Sequence, residues 1–219
     1  MVQMRKLALS AISQVCSPIS KAMNYSGCRP FTEAELPLIL AQCSGRYAAR
    51  DRCLILMGAH TGYRISELLS IRIDSIWDGC RVNDHVVVQK GFMKGKAKSR
   101  TMPLHDKVKA AVQEWLTEYL RGLDDFVGRP LFPRQRTRYA MSRSKAADMM
   151  KTAAAKAGLD VRRISCHSTR KHFALRMWDS PIVNRDMAKM ARLLGHQNFS
   201  NTLRYLEFAD ELDKAVLAG

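Results

Sequence analysis

"DHVVVQKGFMKGKAKSRTMPL" occupies residues 84–104, and its reading decides the fold class. A β-branched run at 86–88, a tip rich in glycine and lysine, and a second short extended stretch predict a β-hairpin with a basic loop. The segments on either side carry helical signals instead. Upstream, "FTEAELPLILAQC" (31–43) sets Thr32 three residues before Glu35, a capping-box pattern, with Pro37 early enough to be tolerated. After a break at Ser44 and Gly45 a second helix is predicted over about 47–60. "TGYRISELLSIRIDSI" (61–76) then turns at Thr61 and Gly62 into a third, with Ile65, Leu68, Leu69 and Ile73 at helical spacing.

Downstream of the hairpin, Asp106 is placed to cap a helix over about 107–121, and Ser142 to cap "SRSKAADMMKTAAAKAG" (142–158), which stops at Gly158. Further helices are expected around 168–178, 185–194 and 198–205, and a last amphipathic stretch, "FADELDKAVLAG", closes the chain. No internal repeat or low-complexity tract is present. The expected fold is therefore mainly α with a small antiparallel β-sheet. Residues 1–29 are polar, contain Pro18 and run into the breaker-rich "NYSGCRP", so they read as a basic arm and linker. Residues 30–206 form the expected folded domain and 207–219 a C-terminal tail.

The 219 residues are 47% hydrophobic, enough for a sizeable core, and carry 36 Lys and Arg against 20 Asp and Glu, a net charge of +16. Such an excess calls for an acidic partner. Nucleic acid leads, because each neutralised phosphate releases counterions; an anionic membrane surface is the alternative. No apolar run approaches the roughly 18–20 residues of a membrane span, the longest being "CLILMGA" (53–59). The first residues make a poor signal peptide. The six cysteines include no C-x-x-C pair and no ligand-like spacing with the histidines, so no metal site and no cofactor are expected, and reduced thiols fit a cytoplasmic, nucleoid-associated protein.

Three short stretches carry chemistry. "HTGYRISELL" puts Arg64 at a helix start with Glu67 three residues on, on the same side. Alone this is a surface ion pair, or a guanidinium placed to clamp a phosphate. "CHSTRKHF" projects His167 and Arg170 to one helix face, combining a group that exchanges protons near neutral pH with one that stays charged. "LLGHQNFSNTLRY" exposes His196 after a glycine turn and offers Tyr205 nine residues later. Singly, each histidine and the tyrosine read as core residues. Together, two arginines, two histidines, a lysine-rich hairpin tip and a late tyrosine are the inventory for phosphoryl transfer from DNA to a protein hydroxyl, with fixed cationic donors offsetting charge on pentavalent phosphorus.

At these residues the sequence resembles the tyrosine recombinases, or phage integrase family. "TGYRISELLSIRIDSI" is similar to the family's first arginine box, "HSTRKHFA" to its H-x-x-R box, and "LLGHQNFSNTLRY" to its L-G-H box followed by the nucleophile. The resemblance implies that Arg64 and Arg170 hold the scissile phosphate and that His196 donates to a non-bridging oxygen. It also implies that His167 assists deprotonation of Tyr205, which attacks phosphorus to leave a 3′-phosphotyrosyl bond and a free 5′-hydroxyl. The general acid would be a hairpin lysine. Lys94 fits the family pattern best, with Lys90, Lys96 and Lys98 competing for the role and, with Arg100, expected to contact DNA. Glu67 would orient the site rather than react.

Thr169 departs from the leucine common in the second box, and only some 30 residues precede Phe31, where many members carry a further helical domain. The length is similar to that of the fimbrial-switch recombinases or compact phage and mobile-element integrases. The implied partners are double-stranded DNA, a homotetramer on two duplexes with a solution monomer left open, and accessory DNA-bending proteins; no membrane is implied. The implied task is integration, excision or inversion without metal or ATP. A type IB topoisomerase-like relaxation activity, a non-catalytic DNA-binding accessory role and an RNA-binding module are the rivals, the last weakened by an aromatic content of only 7%.

Overall fold

A computed structural model of the chain describes residues 27–92, 99–123, 125–135, 137–196, 200 and 202. The predicted helices at 198–205 and in the closing stretch, the arm up to residue 26, the hairpin tip and Tyr205 fall wholly or largely outside them. The elements are α1 (Glu35–Ala41), α2 (Ala48–Thr61), α3 (Ile65–Leu68), β1 (His85–Val88), β2 (Arg100–Pro103), α4 (Asp106–Tyr119), α5 (Arg143–Lys156), α6 (Cys166–Trp178) and α7 (Met187–Leu194). Short 3₁₀ turns lie at Ile73–Ser75, Lys90–Phe92 and Val161–Arg163. The chain is mainly helical with one two-stranded antiparallel sheet, as its patterning predicts.

Helix α2 is the axis of the packing. Ten of its fourteen residues are buried, including Cys53, Leu54, Ile55, Met57 and Ala59, so it presents apolar surface on nearly every side, as an internal helix must. Against one side packs α4, whose buried Val108, Ala111, Val112, Trp115, Leu116 and Tyr119 recur at three- and four-residue steps. Trp115 is almost wholly buried, and its indole N–H donates to the Leu131 carbonyl at 2.8 Å, so the ring enters the core with its polar atom satisfied. Against another side packs α6. A smaller apolar cluster joins α1 through Leu36 and Ile39 to Ile55 and Ala59 of α2 and to Met150, Ala153 and Ala154 of α5.

Two glycines let α6 approach the end of α2. A Cβ on Gly58 would stand 2.5 Å from Thr169 Oγ1, and one on Gly62 would stand 2.2 Å from the Phe173 ring. Gly62 also terminates α2 with φ +60, in the left-handed region that glycine enters without a Cβ penalty. Thr169, the departure from the family's leucine, therefore fits a narrow contact: its hydroxyl donates to the Cys166 carbonyl at 2.9 Å and its side chain lies against Gly58.

The hairpin pairs Val86 with Met102 and Val88 with Arg100, and all four side chains point into the protein. Tyr63 OH lies 2.5 Å from the Arg100 carbonyl and 3.2 Å from that of Val86, which fastens the sheet to the turn after α2.

Two local expectations are corrected. The third helix stops at Leu68, because Ser70 and Ile71 turn back with three-residue hydrogen bonds to Glu67 and Leu68 and the Ser70 hydroxyl also takes the Glu67 carbonyl. Arg72 then forms an extended bridge with Pro130, flanked by hydrogen bonds of Ile71 and Ile73 to Leu131 and Arg129, before the 3₁₀ turn that starts at Ile73, so Ile73 serves a bridge and not the third helix. The cap of α4 is His105, whose Nδ1 accepts from the Lys107 N–H at 3.1 Å; Asp106 is the first helical residue, where its charge favours the positive helix end. The Thr32/Glu35 capping box, the Ser142 cap and the stop at Gly158 are present as read.

Candidate active site

Arg64 is the N-cap residue of α3, at the point where the chain leaves the Gly62 turn. Its guanidinium donates to Glu67 Oε1 at 2.7 Å, and its own backbone N–H donates to Glu67 Oε2 at 2.8 Å. Glu67 is fully buried, and Arg100 stands 3.9 Å from it on the other side. A buried carboxylate between two guanidiniums costs less than an isolated one and holds both in place. The Arg64 side chain retains 18% exposure, which leaves it able to meet a ligand from solvent.

Arg170 arrives from the first turns of α6, whose start is fixed by the Ser165 side chain accepting from the His167 N–H at 3.1 Å. Its side chain is fully buried. One guanidinium nitrogen donates to the Gly62 carbonyl; the other donates to the Leu194 carbonyl at 2.7 Å and lies 3.0 Å from His196 Nε2. The peptide groups around Arg64 and His196 are thus joined through one cation.

His196 follows Gly195, which closes α7 with φ +64. The His196 N–H returns to the Ala191 carbonyl at 2.9 Å, fixing the ring's base, and Nδ1 lies 2.9 Å from the hydroxyl of Thr202, itself fully buried. His167 reaches solvent at the start of α6. Its pKa is nevertheless held below the ordinary histidine value, first by desolvation at its base and then by the positive charges of Arg170, Arg64 and Lys171. His167 stands one helical turn before Arg170 on α6, and with its pKa lowered the imidazole is the neutral, proton-accepting form at pH 7.

Arg64, Glu67, His167, Arg170 and His196 therefore converge. Lys90 is exposed at the base of the hairpin tip, its N–H donating to Ser99 Oγ at 3.1 Å. Lys94, Lys96 and Lys98 lie outside the described residues, as does Tyr205.

Arg100 is a correction. Grouped with the DNA-facing lysines from sequence, it points inward and is only 9% exposed, with one nitrogen donating to the Thr61 carbonyl at 2.6 Å and its guanidinium 4.4 Å from the Tyr63 ring centre. Strand alternation puts it on the face of Met102, and that period-two signal was available in "RTMPL". Thr202 and the Gly62 and Leu194 carbonyls were not singled out from sequence. A backbone acceptor leaves no mark in residue identity, and a threonine near a chain end resembles any surface threonine.

With this geometry in hand, similarity to known proteins can be set beside it. The chain belongs to the phage integrase family, whose sequence profile matches residues 29–211. It is 26% identical to the probable integrase/recombinase YoeC of Bacillus subtilis over 76% of this chain and 82% of that protein. It is 30% identical to the tyrosine recombinase XerD of Caulobacter vibrioides over 81% of this chain and 56% of the relative. The chain thus spans little more than half the length of that XerD. Among solved structures, the XerH site-specific recombinase in a post-cleavage complex with its palindromic difH substrate superposes with a TM-score of 0.67 at 21% identity, over 90% of this chain and 55% of the other. The Tn1549 transposon integrase with a circular intermediate DNA gives 0.61 at 18%, over 88% and 64%. At these identities the structural likeness speaks for the fold.

Proposed function

We propose that this chain is a site-specific DNA recombinase that cuts and rejoins double-stranded DNA through a 3′-phosphotyrosyl intermediate on Tyr205. The observation that carries the reading is the convergence of Arg64, Arg170, His196 and His167 around the Gly62 turn and the end of α7. Two cations braced by Glu67 and by backbone carbonyls are preorganised to receive a phosphate, so little reorganisation is needed when charge develops on it. His167, neutral at pH 7, takes the Tyr205 proton. His196 donates to a non-bridging oxygen, and Lys94 protonates the departing 5′ oxygen. Because the phosphotyrosine conserves the diester's free energy, a 5′-hydroxyl from another strand reverses the step without ATP.

In this reading residues 30–206 are the catalytic unit, 1–29 a basic arm along DNA, and 207–219 a tail exchanged between subunits of a tetramer on two duplexes. Lys90, Lys96 and Lys98 contact the phosphate backbone, contributing affinity without sequence preference. The relatives bear recombinase and integrase names, which favours this reading over relaxation of a single duplex or an idle accessory role.

The experiment is incubation of the protein, in EDTA, with nicked suicide duplexes taken from the DNA flanking its gene, followed by a denaturing gel. An adduct that maps to Tyr205 and disappears in Tyr205→Phe, with binding retained within a few-fold, is the expected result. Tight binding without an adduct would favour the accessory role instead.

A further inference from the structure

We infer that Thr202 is a positioning residue for His196, holding the imidazole at Nδ1 with a group that serves either ring tautomer; the inference deepens the strand-transfer reading and rests on it. The two ring nitrogens face partners of different kinds. Nε2 lies 3.0 Å from an Arg170 guanidinium nitrogen, and Nδ1 lies 2.9 Å from Thr202 Oγ1. A guanidinium only donates, so in the free protein Nε2 accepts and the ring proton is on Nδ1, where the Thr202 oxygen accepts it.

The proposed chemistry needs the opposite arrangement. A phosphate diester oxygen is an acceptor, so for His196 to donate to it from Nε2 the proton must be on Nε2 and Nδ1 must become the acceptor. A backbone carbonyl beside Nδ1 would oppose that change, and a backbone N–H there would oppose the starting state. A threonine hydroxyl opposes neither: it accepts in one state and, after rotating its hydrogen, donates in the other. The exchange takes a proton onto Nε2 from solvent water and returns one from Nδ1 to solvent water, leaving the ring neutral and the charge unchanged.

Burial gives the contact its importance. Thr202 is fully buried, so water does not readily replace its hydroxyl if it is lost, and Nδ1 would be left unpaired beside apolar surface. The chain adds a second link, because Thr202 stands three residues before Tyr205. The residue that holds the ring at Nδ1 therefore belongs to the stretch of chain that carries the proposed nucleophile.

The test compares the full-length protein with Thr202→Val, which keeps the shape and removes the hydroxyl, and Thr202→Ser, which keeps the hydroxyl. Nitrogen-15 NMR of the His196 ring reads the tautomer in the free protein, and adduct formation on the nicked duplex reads the chemistry. Wild type and Thr202→Ser are expected to show the proton on Nδ1 and adduct rates within about three-fold of one another. Thr202→Val is expected to keep the proton on Nδ1, where Arg170 at Nε2 holds it, but to lose the hydrogen bond from Nδ1, read as a shifted Nδ1 resonance, and to form adduct at least about ten-fold more slowly. An unchanged Nδ1 resonance in Thr202→Val overturns the inference, as does a shifted resonance with an unchanged rate. Thr202→Ser as slow as Thr202→Val would reduce the residue to packing, which also overturns it. A wild type that forms no adduct sinks the strand-transfer reading, and the free-protein spectra then still decide whether Thr202 governs the ring.

Discussion

The guanidinium of Arg170 lies 3.0 Å from His196 Nε2, so the cation from α6 and the imidazole after α7 are in direct contact before any DNA is present. The same guanidinium bonds the Gly62 and Leu194 carbonyls, which gives it a structural task beside its proposed catalytic one.

Removing it should therefore register twice. Arg170→Ala is expected to lower cleavage by about 10²–10³-fold, equivalent to roughly 3–4 kcal/mol of transition-state stabilisation, and also to lower the denaturation midpoint. Arg170→Lys keeps the charge but lacks the planar fork that reaches separate carbonyls and His196, so cleavage should stay low while part of the stability returns. Parallel cleavage assays and urea melts check this; a normal midpoint in Arg170→Ala would show that the carbonyl contacts contribute nothing to folding.

Glu67 has no predicted part in bond breaking, yet it braces two cations. Glu67→Gln retains an acceptor for the Arg64 N–H and removes the buried charge, and is expected to cost on the order of 3 kcal/mol of stability together with a reduced cleavage rate. Guanidinium denaturation and single-turnover cleavage measure the two effects, and a fully stable, fully active variant would contradict the bracing role.

The acid limb of the rate should belong to His167. Desolvation and the charges of Arg170 and Arg64 lower its pKa from the ordinary value, so the proton-accepting form persists below pH 6.5 and the rate should fall only as pH drops through that lowered value. In His167→Gln the limb should flatten and the maximum rate fall, by about 10²-fold or more. A limb unchanged by the substitution would assign the titration to another group.

His60 offers a stability test with a defined sign. Burial, followed by the charge of Arg176 and the neighbouring His105, pushes its pKa down to about 3, and its Nδ1 lies 3.2 Å from the Arg176 guanidinium. The folded state keeps this ring neutral while the unfolded state binds a proton near the ordinary value of about 6.5. The contribution is thus fully present above about pH 6.5 and is lost as pH falls below it, by up to about 1.4 kcal/mol per pH unit. Urea melts between pH 6.5 and 4.5 should show a steeper decline for the wild type than for His60→Gln; equal slopes would refute it.

Gly62→Ala asks for a Cβ within 2.2 Å of the Phe173 ring at a residue with φ +60. The expected loss is roughly 2–4 kcal/mol, and cleavage should fall with it because the Gly62 carbonyl is an Arg170 acceptor. A variant of unchanged stability would mean that α6 moves away from α2 at little cost.

Much of this was legible in the residues. The capping box at Thr32 and Glu35, the Ser142 cap and the hairpin depend on local chemistry, and local chemistry is what a sequence states directly. The predicted third helix runs too far because Ile73 stands four residues after Leu69, a helical step, while Ile71 and Ile73 alternate around exposed Arg72; backbone partners at Arg129 and Leu131 decide between the two. Arg100 was misassigned because a positive charge beside a lysine-rich tip suggests solvent, whereas its buried acceptors, Glu67 and the Thr61 carbonyl, come from elsewhere in the chain. Arg64, Arg170 and His196 stand out in their motifs as candidates, but the bracing between them depends on carbonyl oxygens that every residue type possesses.

The Leu194 carbonyl accepts from Arg170 at 2.7 Å and from Arg100 at 3.5 Å, so the first residue of β2 and the arginine of α6 share one peptide oxygen. This matters to anyone who would graft parts between relatives. A foreign hairpin brings its own lysines to the tip, but the transplant changes the anchorage of the Leu194 carbonyl and Arg170 unless its second strand begins with an arginine aimed inward. An exchange of tips is compatible with this scaffold only while that root is kept.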